Sequence, residues 1–234
     1  MNFFYSPDLE LNIEWITLNQ EESRHCLRSM RMRQGDRAWM GNGRGLKAEV
    51  EMAGTEGHLA VFRVLRCEQI LKRAAALHLA VAPTKNHDRF EWMVEKATEL
   101  GVETITPLMC RHSERTRVQR ERLERLLVAA MKQSMDPFLP EIAEESSFDA
   151  LVNEEFSGRK FIAWCGNDRP PHLKDLLTRG SHARVLIGPE GDFSEDEIKL
   201  ARERSYEPVS LGFKRLRTET AAIYACSVFK MINE

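Results

Sequence analysis

Near the C-terminus an apolar run, Arg184-Val185-Leu186-Ile187, stops in Gly188-Pro189-Glu190-Gly191, and Ser194 then opens a helical pattern. A second unit of the same kind follows. Val209-Ser210-Leu211-Gly212 leads through a basic loop into Arg217-Thr218-Glu219-Thr220-Ala221. Two short strands therefore each end in a glycine loop that feeds a helix. In an open α/β sheet this is where a ligand sits, outside the carboxyl ends of the strands. Glycines there let backbone approach the ligand closely.

Size and composition narrow the class. A chain of 234 residues allows one large domain or two small ones. A hydrophobic share of 42% with 30% charged residues predicts a packed core rather than disorder. The formal net charge of −2 removes any whole-chain signal for nucleic acid, so only local patches can argue for it. Five cysteines, odd in number and without a C-x-x-C pair, predict reduced thiols and no zinc knuckle. No H-x-x-x-H or H-E-x-x-H pair occurs, so no catalytic metal is expected. The first residues lack a basic stretch followed by an apolar one, and no apolar run is long enough to span a bilayer. A cytoplasmic protein without membrane contact is expected.

Residues up to about 70 look β-rich. Trp15–Leu18 reads as a strand, and Asn19 with Glu22 resembles a capped helix start. Gly41-Asn42-Gly43-Arg44-Gly45 reads as a hairpin connection rather than a nucleotide loop, because no helix pattern follows it. Lys47–Met52 alternates polar and apolar as a half-buried strand does. Short strands with glycine turns suggest a small barrel. Residues 68–75 are the expected boundary, giving a domain over 1–72 and a second over 73–234. In the second, strands at 77–82, 105–108 and 160–164 alternate with helices at 88–100 and 119–134. That alternation predicts a largely parallel α/β sheet.

Charge concentrates in two places. Arg24, Arg28, Arg31, Arg33 and Arg37, with Arg44 and Lys47 nearby and only Asp36 intervening, over-use arginine against lysine, and its planar fork suits phosphate. Arg111, Arg115, Arg117, Arg120, Arg122 and Arg125 are diluted by Glu114, Glu121 and Glu124, which also fits a solvated helix face. Lys85 and Arg89 flank a strand-to-helix loop, either beside a ligand or as helix-start surface charges. Ser194 with Glu197 forms a capping box, which makes Ser194 structural. Glu190 is either a turn carboxylate or a ligand contact. Thr218 or Thr220 is expected to cap the last helix. Arg217 sits against its local preference, because a cation there meets the positive end of the helix.

These residues carry a resemblance. Leu186-Ile187-Gly188-Pro189-Glu190-Gly191, taken with Leu211-Gly212 and Leu216-Arg217-Thr218-Glu219-Thr220-Ala221, resembles the SPOUT (α/β-knot) methyltransferases. Lys96–Val102, Pro107-Leu108, Ser113-Glu114-Arg115 and Gln133-Ser134 resemble their RsmE branch, as do His25, Arg28, Met30-Arg31 and Gly35-Asp36. Asp192, Asn86 and Asp136 depart from the pattern, standing where glycine, glycine and arginine are common.

The resemblance implies a PUA-like N-terminal barrel that binds RNA and a C-terminal SPOUT domain with a trefoil knot. It implies a homodimer through that domain and S-adenosylmethionine as cofactor. The substrate implied is a uridine N3 of small-subunit (16S) ribosomal RNA. Ile187, Gly188, Pro189, Glu190, Gly191, Leu211, Gly212, Leu216, Arg217 and Thr218 are then expected around the cofactor. Arg217 is expected to stabilise the base anion, with Glu190 or Glu219 accepting the proton. Arg24, Arg28, Arg31, Arg33, Lys85, Arg89 and Arg115 are expected on RNA. Alternatives are methylation at another RNA position, or a non-catalytic RNA-binding assembly factor.

Overall fold

The computed structural model describes residues 2–114, 117–166 and 170–234. The chain divides into two compact units. The first comprises 1–72 and 128–139, the second 73–127 and 140–234.

The first unit is built on a five-stranded mixed sheet. Its strands are β1 (Phe3–Tyr5), β2 (Trp15–Thr17), β3 (Arg37–Gly41), β4 (Leu46–Glu56) and β5 (Leu59–Gln69), in the order β1-β3-β4-β5-β2. Alternation along β4 turns Leu46, Ala48, Val50 and Met52 inward, where they meet Phe4, Ile16, Met40 and Phe62. Register shifts at Glu49/Val50 and Met52/Gly54 break the ladder between the two long strands.

Asn19 caps α1 (Gln20–Arg24) by accepting the Glu22 N–H at 2.9 Å. The Glu22 carboxylate does not close a capping box. It accepts from the Tyr5 N–H at 3.3 Å and pairs with Lys132. Beyond Arg24 the helix widens into a π-helical turn, His25–Ser29.

The glycine hairpin does join β3 to β4, as expected, and it also receives a distant segment. The Gly45 N–H donates to the Pro137 carbonyl and the Leu139 N–H to the Gly43 carbonyl. Gly45 has φ 97°, and a Cβ there would lie 2.7 Å from the Phe138 ring. Both facts require glycine. Asp136 is part of the same segment, its carboxylate accepting the Phe138 N–H at 3.0 Å.

The second unit is a parallel sheet. Its strands are β6 (Leu77–Val81), β7 (Thr104–Met109), β8 (Glu141–Ile142), β9 (Ser146–Ser147), β10 (Arg159–Ala163), β11 (Ala183–Ile187) and β12 (Glu207–Val209). The order is β12-β10-β11-β6-β7-β8, with β9 also on β7 and every pair parallel. Central β11 is buried along its whole length, as a strand covered on both faces must be. The helices are α2 (His87–Glu99), α3 (Arg120–Ser134), α4 (Phe148–Asn153), α5 (Leu173–Leu176), α6 (Glu195–Glu203) and α7 (Thr218–Asn233). Phe90, Met93, Val94 and Ala97 form the buried face of α2. Leu123, Leu127, Ala130 and Met131 are buried on α3, while Leu126 is half-buried.

A polar network occupies the start of β6 and β11. Arg184 is buried, stacks on Phe156, and donates to His78 Nδ1 at 3.0 Å, to the Leu151 carbonyl and to Glu154. Because His78 Nδ1 accepts, its Nε2–H is the donor to Thr106 Oγ1 at 2.7 Å. Burial, and then the Arg184 charge, push the His78 pKa down to about 4.

Candidate functional site

The carboxyl ends of β10, β11 and β12 surround a cleft of about 1060 Å³. Three chain segments wall it. Trp164, Cys165 and Gly166 follow β10; Gly188 to Glu190 follow β11; Ser210 to Arg217 follow β12. The fold therefore opens a large cleft where the two glycine loops predicted a ligand.

Hydrogen bonds fix the loops against each other. Thr218 Oγ1 donates to the Gly188 carbonyl at 2.9 Å, and Arg215 Nη2 donates to the Glu190 carbonyl at 3.3 Å. The Lys85 N–H donates to Glu190 Oε1 at 3.2 Å, which orients that carboxylate. Ser210 pairs with the chain beyond β10: its N–H donates to the Pro171 carbonyl and its carbonyl accepts from the Leu173 N–H. Gly212 has φ 120°, and a Cβ built on it would meet nothing within 4 Å. At this position only glycine suits the backbone, and the space beside it is open to a ligand.

Most of the residues expected around a cofactor meet here. Ile187, Gly188, Pro189, Glu190, Leu211, Gly212, Leu216, Arg217 and Thr218 all line the cleft. Gly191 does not line it, and faces the His112 side chain, to which a Cβ would come within 3.1 Å. His112 Nδ1 also lies 3.0 Å from the Asp192 carbonyl oxygen. Asp192 stands at φ 63°, in the left-handed region that explains a common glycine there and that aspartate tolerates.

Arg217 is exposed and occupies the N-cap position of α7 without a side-chain cap bond. Neither threonine caps the helix. Thr218 instead spends its hydroxyl on the β11 loop. Glu219 is withdrawn from the cleft lining: its side chain is 10% exposed, with Oε1 3.9 Å from Arg89 Nε. Ser194 and Glu197 form the expected capping box of α6, and Glu197 also accepts the Arg111 N–H at 2.9 Å.

The two arginine clusters differ in how they are neutralised. Arg24, Arg28, Arg31 and Arg33 are all exposed, and no carboxylate among the described residues pairs with them. Arg31 holds φ 54°. Arg37, by contrast, pairs with Glu49 and Glu51. In the second cluster Arg111 pairs with Asp196, Arg120 with Glu124 and Arg122 with Glu91. Only Arg120–Glu124 is the i,i+4 pair of a solvated helix face; Arg111 and Arg122 reach carboxylates on α6 and α2. Lys85 pairs with Glu114, which raises its pKa. Arg115 lies outside the described residues.

No group of three or more metal-ligating side chains occurs among the described residues. All five cysteines are free. Burial pushes the thiol pKa of Cys26 up to about 11 and that of Cys226 up to about 12. Cys165 is exposed and lines the cleft.

The β10 wall escaped sequence reasoning, and the basic loop Phe213-Lys214-Arg215 was legible as a loop but was not among the expected site residues. The strand 160–164 was legible, and its Cys165-Gly166 ending was the available signal that it, too, closes in a loop at the same sheet edge.

Comparison with known proteins agrees with this geometry. Residues 72–230 match the family model described as RNA methyltransferase domain, and residues 18–66 match RNA methyltransferase PUA domain. The chain is 24% identical over 232 residues to ribosomal RNA small subunit methyltransferase E of Bacillus subtilis, covering 93% of this chain and 90% of that protein. It is 32% identical over 140 residues to the protein of that name from Aquifex aeolicus, covering 58% and 60%. Among solved structures, a Porphyromonas gingivalis protein described as a probable rRNA-methyltransferase superposes with a TM-score of 0.90 at 34% identity, covering 100% and 98% of the two chains. A Legionella pneumophila protein, described as a methyltransferase in complex with the bound cofactor SAM, superposes with a TM-score of 0.87 at 27% identity, covering 99% and 97%. With its second unit matched almost throughout and a PUA match in its first, the chain belongs to the RNA methyltransferase family.

Proposed function

We propose that this chain transfers the methyl group of S-adenosylmethionine to N3 of an unpaired uridine in small-subunit ribosomal RNA. The observation that carries the reading is the cleft, walled by two glycine loops tied together by the Thr218–Gly188 bond and bearing the exposed Arg217 at the N-terminus of α7.

The residues present fit such a cofactor. Ile187, Leu211 and Leu216 supply apolar surface, and the open space beside Gly212 lets a ligand reach main-chain groups. When bound, the sulfonium supplies an electrophilic methyl group. The protein's part is then to hold the base and favour its N3 anion. Arg217 lies where a guanidinium can stabilise charge spread onto O2 and O4. Glu190, lining the cleft and oriented by the Lys85 N–H, is the proton acceptor. Glu219 instead backs Arg89. N3 lies on the Watson–Crick edge, so the target base is unpaired or flipped out. Arg24, Arg28, Arg31 and Arg33, exposed and with no carboxylate among the described residues paired to their guanidinium groups, hold phosphates of the RNA backbone.

We infer further that the chain around β12 and α7 forms a trefoil knot, supported by the Thr218–Gly188 and Ser210–Leu173 bonds. Two copies join through the C-terminal unit, where α7 leaves Tyr224 and Met231 exposed. The proposed action on ribosomal RNA is consistent with a cytoplasmic protein. Among the described residues no helix is long and apolar enough to cross a membrane.

Mass analysis of nucleosides from the ribosomal RNA of a deletion strain tests the reaction. Loss of 3-methyluridine is expected; its persistence overturns the proposal, and loss of a ribose-methylated nucleoside moves the target. Arg217→Ala is expected to lower the transfer rate about 100-fold or more while leaving the unfolding temperature unchanged.

A further inference from the structure

Phe213 is the most exposed large apolar side chain among the described residues. Its relative exposure of 107% means that no neighbour covers its ring. It belongs to the cleft lining, on the basic segment between β12 and α7. Ser210 turns the chain there, its hydroxyl accepting from the Gly212 N–H and donating to the Gly212 carbonyl, each at 3.1 Å. With Gly212 at φ 120°, this turn holds Phe213 away from the protein. Lys214, Arg215 and Arg217 follow, all exposed, and no carboxylate among the described residues pairs with them. Arg215 ties the segment across the cleft through the Glu190 carbonyl.

An uncovered phenyl ring is poorly hydrated, and a flat partner removes that penalty. A nucleic-acid base offers such a face whatever its identity, and the phosphates beside it pair with cations. An apolar protein surface would cover the ring but leave Lys214, Arg215 and Arg217 without counter-charge. The combination of bare ring and unpaired cations fits single-stranded RNA.

We propose that Phe213 stacks on a base of the RNA at the mouth of the cleft, with Lys214 and Arg215 on the flanking phosphates. This rests on the methyl-transfer reading and adds to it the residue that holds the RNA strand beside the reacting groups. Stacking is tolerant of base identity, so Phe213 contributes grip and placement rather than sequence choice.

The test measures methyl transfer from labelled S-adenosylmethionine to small ribosomal subunits from a strain lacking the modification. Four proteins are compared: the parent, Phe213→Ala, Phe213→Leu and Phe213→Trp. Ala and Leu are each expected to lower kcat/KM for the subunit about tenfold, and Trp to restore it. Cofactor affinity by calorimetry and oligomeric mass are expected to stay at parent values. Parent-like kcat/KM in Ala or Leu overturns the proposal. So does a matching loss of cofactor affinity, which assigns the ring to the cofactor, or a change of oligomeric mass in Ala, which assigns it to a second copy. If the parent itself transfers no methyl group, the methyl-transfer reading fails separately. Gel-shift affinities of the same four proteins for single-stranded ribosomal RNA then still decide the stacking.

Discussion

Thr218→Val tests the bond that joins the two glycine loops. Valine keeps the shape of threonine, so packing at this buried position is preserved and only the hydroxyl is lost. The hydroxyl donates to the Gly188 carbonyl at 2.9 Å, and Thr218 is 5% exposed, so water does not readily take its place. Losing a neutral hydrogen bond costs about 1 kcal/mol net, and about 3 kcal/mol if the carbonyl is left unsatisfied. In a chain of 234 residues that corresponds to a fall in Tm of roughly 2–10 °C. Gly188 also lines the cleft. If its position is set by this bond, part of the same free energy appears in cofactor affinity, at about tenfold in Kd for each 1.4 kcal/mol. The assay is calorimetry with S-adenosylmethionine on the parent, Thr218→Val and Thr218→Ser, with thermal unfolding alongside. Serine keeps the donor and loses one buried methyl group, worth about 0.8 kcal/mol. It is expected to bind the cofactor nearly as the parent does, while valine binds it more weakly. Parent-like binding by valine, or weaker binding by serine than by valine, refutes the claim that the hydroxyl sets the cleft wall.

Two further outcomes are expected. His78 is held neutral in the fold, with its pKa pushed down to about 4 from an ordinary 6.5, so the unfolded chain takes up the proton first. The stability this contributes is complete above about pH 6.5 and is lost as pH falls toward 4, amounting to about 2 kcal/mol between pH 7 and pH 5. Urea unfolding at both pH values should show that loss in the parent and much less of it in His78→Asn; equal losses would remove His78 as the cause. Arg28→Glu combined with Arg31→Glu should weaken RNA binding and flatten its salt dependence while sparing cofactor affinity, and unchanged RNA affinity at moderate salt would remove these arginines from the interface.

Local patterns determined much of this protein without any tertiary information. The alternation of β4, the helical face of α2 and the Ser194–Glu197 capping box are short-range properties, written in spacing and in side chains that bond a few residues away. The same holds for the two strand–glycine–helix units, which located the cleft because an α/β sheet presents its strand ends together.

Long-range pairing was beyond such patterns. Glu22 has the spacing of a capping-box residue, yet its carboxylate serves Tyr5 and Lys132. Gly45 looks like a turn glycine, yet it is required because Phe138 packs against it and Pro137 accepts its N–H. Thr218 and Glu219 look like helix-start residues. One reaches back to Gly188, and the other is buried against Arg89. Helix α3 reads as one continuous amphipathic element, yet residues 128–139 belong to the first unit. In each case the sequence specifies what a side chain can bond. Only the folded chain decides which partner reaches it first, because that depends on contacts between residues far apart in sequence, whose closure no local spacing encodes.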